Sequence, residues 1–131
     1  MKALVVVMML MAGASNYLFA QVEPVVRNVT VEEFQGGIDS LKDEIIIDLR
    51  TPEELKQGKI ADARVIDFFG PNFEPSIEKL EKNKVYFLYC ASGARSGETA
   101  DLMKEMGFKT LFNLEGGFRQ WVAKKMPVEK R

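Results

Sequence analysis

The shape of its apolar runs most constrains what this chain can fold into. Residues 44–49 read EIIIDL and residues 84–90 read KVYFLYC, with hydrophobic side chains in succession rather than alternation. Successive side chains of a strand point to opposite faces, so such runs form strands only where both faces are covered. Helix-start signals accompany them. Thr30 stands three residues before Glu33, and Thr51 three before Glu54, with Pro52 at the first helical position. Each is a capping box, in which hydroxyl and carboxylate satisfy first-turn amides reciprocally. Buried strands alternating with capped helices predict an α/β domain whose parallel sheet is covered by helices on both faces.

The other segments fit this alternation. VVRNV (25–29), ARVIDF (63–68) and TLFNL (110–114) read as further strands. Gly58 stops the helix that Thr51 starts. A short helix is predicted over 76–82, another over 96–107, and a closing one over 116–125. The helix over 96–107 carries Ala100, Leu102, Met103 and Met106 on one side, and the closing helix turns Phe118, Trp121 and Val122 inward.

With 131 residues the chain has room for one domain, and a net charge of -1 gives no case for nucleic acid or an anionic membrane as partner. There is no histidine and only one cysteine. A Cys–His pair, a Ser–His–Asp triad, a His-bound metal, a Cys-cluster metal site and an intramolecular disulfide are therefore excluded. Neither a metal nor a cofactor is expected. Catalysis must come from carboxylates, arginine, lysine, backbone amides or the one thiol.

Residues 1–20 have a lone basic residue, Lys2, then an apolar run and small residues, the order of a secretory signal. Cleavage after Ala20 or near Ala12-Gly13-Ala14 are the two exits, and a retained anchor is the alternative. A periplasmic or secreted location follows from the cleaved form, with membrane contact only if the segment is retained. Residues 21–27 form a linker running into the first strand, and residues 28–128 form the domain.

Cys90 lies where the 84–90 strand ends, and ligands of parallel α/β sheets bind at the carboxyl ends of strands. Four small residues, Ala91, Ser92, Gly93 and Ala94, separate it from Arg95. Such a stretch lets consecutive amides turn inward into a nest, and the helix behind adds further unpaired donors. Nest, helix and guanidinium all favour a thiolate. Cys90 is thus either a reactive group in an anion-binding loop or a small core residue capping a buried strand, with Gly93 and Gly97 shaping an ordinary turn.

At this point four stretches, IIDLRTPEEL, GKIADARVI, VYFLYCASGARS and LEGGFRQWVAKKMPV, together resemble the single-domain rhodanese-like sulfurtransferases. With the export signal, the chain looks like the periplasmic phage-shock-type members. The resemblance implies a five-stranded parallel sheet flanked by helices and a cysteine that accepts sulfane sulfur as a persulfide. Carried over, Cys90 is the sulfur carrier, the backbone from Ala91 through Ser92, Gly93, Ala94 and Arg95 to Ser96 is the cradle, and Arg95 is the anion-binding side chain. The implied partners are a small anionic sulfur donor such as thiosulfate, a cyanide or thiol acceptor, and a thioredoxin-like protein.

Where the family usually has Gly-His, this chain has Gly58-Lys59, which implies an effect on packing near the loop more than on chemistry. Arg50 either pairs with a carboxylate such as Glu54 or contacts the donor, with Asp48 accepting loop hydrogen bonds. Gly116-Gly117 and Trp121 read as turn and core. Cysteine-dependent phosphatases and arsenate reductases resemble this arrangement but carry one more residue between Cys and Arg, giving a wider ring of amides. A noncatalytic binding module of the same fold is the third reading.

Overall fold

A computed structural model of the chain describes residues 23–130; the secretory signal expected over 1–20 lies outside them. Five strands, β1 (Val25–Val29), β2 (Glu44–Asp48), β3 (Arg64–Val65), β4 (Val85–Tyr89) and β5 (Thr110–Leu114), form one sheet in the order β1-β5-β4-β2-β3. Every pairing is parallel. Five helices connect and cover it: α1 (Val31–Ser40), α2 (Pro52–Leu55), α3 (Phe73–Glu78), α4 (Ala94–Glu105) and α5 (Gly117–Ala123). The five-stranded, doubly covered parallel sheet is the fold expected from the sequence.

The continuous apolar runs divide their side chains between two cores. Ile46, Phe87 and Tyr89 face α1 and α5 and meet Phe34, Phe118 and Trp121. Ile47, Tyr86, Leu88 and Cys90 face the other way, onto Ile77 of α3 and Ala100 and Met103 of α4. Phe34 sits edge-on to Phe87, Tyr89 and Trp121 at centroid distances of 5.2, 6.4 and 6.0 Å, a favoured aromatic geometry. Both capping boxes form, Thr30 with Glu33 and Thr51 with Glu54.

Four expectations need correction. β3 is two residues long, not six, because only Arg64 and Val65 stay in register at the sheet edge; beyond them Ile66 and Phe68 donate singly to the Asp48 and Leu49 carbonyls. The short helix spans Phe73–Glu78 rather than 76–82, since Pro75 falls in its first turn, where the missing amide breaks no helical bond. α4 begins two residues early, at Ala94, because Gly93 takes φ 100° and turns the chain directly into the helix. Val122 lies outward, 49% exposed, while Phe118 and Trp121 face in.

Candidate active site

β4 delivers Cys90 to the carboxyl edge of the sheet, fully buried against α4. Three donors converge on its Sγ: the Gly93 amide at 3.1 Å, the Ser96 amide at 3.5 Å and the Ser96 hydroxyl at 3.4 Å. Burial alone pushes the thiol up. The Ser96 hydroxyl and amide, with the Ser92 and Gly93 amides, outweigh that effect and hold the thiol below its ordinary value. Of the cradle residues, Gly93 and Ser96 hydrogen-bond the sulfur, and the Ser92 amide adds to holding the thiol low.

The loop is braced from behind by α5. The Phe118 amide donates to the Cys90 carbonyl at 2.8 Å and the Arg119 amide to the Ala91 carbonyl at 3.1 Å. That contact requires Gly117, whose φ is 60°. A Cβ there would stand 2.6 Å from the Cys90 and Ala91 carbonyl oxygens. The glycine pair therefore does more than turn the chain, because it lets two backbones touch beside the thiol. From β5, Asn113 Nδ2 donates to the Gly93 carbonyl at 3.1 Å, holding the residue that starts α4.

Both arginines are held by carboxylates. Arg50, 1% exposed, pairs not with the Glu54 carboxylate but with Asp48. Its Nε and Nη2 grip the two Asp48 oxygens at 2.9 and 2.7 Å. It also donates to the carbonyls of Gly58 and Glu54 and lies over the Phe118 ring at 3.9 Å. Tyr89 completes the cluster, its hydroxyl donating to Asp48 at 2.6 Å and accepting from the Ile60 amide at 3.0 Å. The cluster ties the end of β2 to Tyr89 of β4 and Phe118 of α5, and removing either charge would leave the other buried and uncompensated.

Arg95, in the first turn of α4, gives both terminal nitrogens to Glu54, at 2.8 Å each. Arg95 and the Thr51 amide and hydroxyl hold Glu54 at about 2 although partial burial opposes them. The pair thus stabilises the fold fully above the ordinary carboxylate value and is lost only as pH falls through about 2. The Lys59 ammonium bonds the Ala63 carbonyl at 3.2 Å, and its backbone pairs with Glu129 of the C-terminal segment. The sequence reading missed the Ser96 hydroxyl as a donor to sulfur and Arg119 as a neighbour of the loop. The C-A-S-G-A-R-S order held a signal for the first, since Ser96 falls in the opening turn of the helix.

The Rhodanese-like domain model matches residues 30–124. The chain is 31% identical over 119 residues to Rhodanese-like domain-containing protein 17 of Arabidopsis thaliana, covering 82% of this chain and 75% of that protein. It is 28% identical over 103 residues to a protein of Allochromatium vinosum named Sulfurtransferase, covering 79% and 94%. The crystal structure of a rhodanese-related protein from Thermoplasma volcanium superposes with a TM-score of 0.70 at 26% identity, covering 80% of this chain and 99% of that one. A match that begins at the cap of α1 and ends just beyond α5 takes in the loop and every element that braces it, and the chain belongs to the rhodanese-like domain family.

Proposed function

We propose that this protein is a sulfurtransferase that takes sulfane sulfur from thiosulfate or a related anionic donor onto Cys90 and passes it to cyanide or a thiol. The observation that carries the proposal is the convergence of three donors on a buried Cys90 Sγ at the end of β4. A family-level role in sulfur transfer is supported by relatives that bear the sulfurtransferase name.

The Cys90 thiolate attacks the sulfane sulfur of thiosulfate. A new S–S bond forms to Cys90, the bond to the sulfonate sulfur breaks, and sulfite leaves with its electron pair. No proton is transferred, in keeping with a chain that has no histidine. Cyanide then attacks the outer sulfur of the persulfide; thiocyanate leaves and the thiolate is restored. The inward amides and the Ser96 hydroxyl stabilise negative charge in both half-reactions without reorganising, which is where preorganised donors contribute most.

The four-residue spacing from Cys90 to Arg95 favours this reading over a phosphatase, whose wider ring fits a tetrahedral oxyanion. The distinguishing experiment assays thiosulfate:cyanide transfer and aryl phosphate hydrolysis on the same preparation. Transfer that disappears in Cys90→Ser, with no phosphatase activity in either protein, is expected, because a serine hydroxyl stays protonated where a thiol ionises. Preference for the phosphate ester, or transfer that survives in Cys90→Ser, would contradict it. The proposal places the reaction outside the cytoplasm, from the basic–apolar–small order of residues 1–20, with a thioredoxin-like protein as the thiol partner.

A further inference from the structure

We infer that Arg119 draws the anionic end of the sulfur donor into the site and sets the preference for sulfonate-bearing donors; this rests on the sulfurtransferase reading above. Arg50 and Arg95 are each already paired with a carboxylate. Arg95 is committed to Glu54 through both terminal nitrogens, and Arg50 is buried against Asp48. Arg119 is exposed, and among the described residues its side chain makes no ion pair and no hydrogen bond. Its backbone amide bonds the Ala91 carbonyl, which seats it one residue from the thiol. Arg119 lines a cleft of about 190 Å³ together with Gln57, Ala91, Phe118, Arg50 and Glu54, and Ala91 is the residue next to the thiol.

The Asp48–Arg50 and Glu54–Arg95 charges cancel in pairs, which leaves Arg119 as the uncompensated charge of that cleft. A thiosulfate-type donor has two ends with different needs. Its sulfane sulfur must reach Cys90, and its oxyanion end must be held outside the loop. A planar guanidinium matches an oxyanion through two parallel N–H donors. One unit charge about 6 Å from a dianion in a water-like dielectric changes affinity by roughly tenfold.

Steady-state kinetics with thiosulfate and cyanide should show KM for thiosulfate raised about tenfold in Arg119→Ala, with kcat within about twofold. Arg119→Lys should recover most of the loss, and added salt should raise KM more in the parent protein than in Arg119→Ala. A KM for thiosulfate in Arg119→Ala within twofold of the parent would overturn the inference. Binding is read separately by titrating thiosulfate into the Cys90→Ser protein, with and without Arg119→Ala, and following the amide NMR signals of residues 91–96. A dissociation constant about tenfold weaker without Arg119 is expected, and equal constants would overturn the inference. If the parent forms no persulfide while thiosulfate binding still depends on Arg119, the sulfurtransferase reading falls and the anion site stands. If the persulfide forms while KM and binding ignore Arg119, the reading stands and the inference falls.

Discussion

Gly117→Ala tests whether the contact between α5 and the loop holds the site together. The new Cβ meets the Ala91 carbonyl carbon and the Ala91 and Cys90 oxygens at 2.6 Å, well inside van der Waals contact. The backbone φ of 60° adds a left-handed penalty of about 1–2 kcal/mol for an L-residue. Relieving the overlap means moving α5 away and stretching the Phe118–Cys90 and Arg119–Ala91 bonds, now 2.8 and 3.1 Å. Overpacking of this kind costs about 1–3 kcal/mol, and each weakened backbone bond about 0.5–1.5. These overlap rather than add, so a loss of about 3–5 kcal/mol is expected, a large share of a typical total of about 5–15. Urea denaturation measures it through the midpoint, and the rate of sulfur uptake by Cys90 should fall in the same variant. Gly36→Ala is the control, because nothing lies within 4 Å of its Cβ inside α1. Helix propensity makes that change neutral to stabilising by up to about 1 kcal/mol. A loss below about 1 kcal/mol in Gly117→Ala, or equal losses in the two variants, would contradict this bracing role.

Two further outcomes follow from the site and the N-terminus. Ser96→Ala removes the hydroxyl donor to Cys90 Sγ, so the thiolate absorbance should titrate at higher pH and sulfur uptake in mildly acidic buffer should slow by roughly tenfold, the effect of losing about 1.5 kcal/mol from a bond to a charged group. A thiol held low stabilises the fold above its unfolded pKa and loses that contribution as pH falls through the folded value; the pH dependence of stability should therefore shrink in Ser96→Ala, and an unchanged titration would remove the hydroxyl from the account. Fractionation of cells making the full chain should find a shortened protein outside the cytoplasm, and a full-length cytosolic product would contradict export.

Much of this molecule was legible because its signals are local. Thr30, Thr51 and Pro52 fix helix starts within four residues, and Ile46 and Ile47 pointing to opposite cores follow from strand geometry alone. Pairing across distance was harder. Glu54 is one of the carboxylates the sequence offers Arg50, four residues away, yet it reaches Arg95, 41 residues away. Asp48 closes β2 and Arg50 follows two residues on, close enough for its guanidinium to grip both Asp48 oxygens. The reason for Gly117 was not local either, since it depends on where β4 ends relative to α5. The exposed side chain of Arg119 gave no sequence signal, as only the fold brings it beside Ala91.

The most direct test of the central claim is the intact mass of the protein after treatment with thiosulfate and removal of the excess. A gain of one sulfur atom is expected, mapped by peptide analysis to Cys90, absent in Cys90→Ser and released by cyanide as thiocyanate. An unchanged mass for a folded protein with a free thiol, or a sulfur that cyanide does not remove, would contradict sulfur transfer through Cys90.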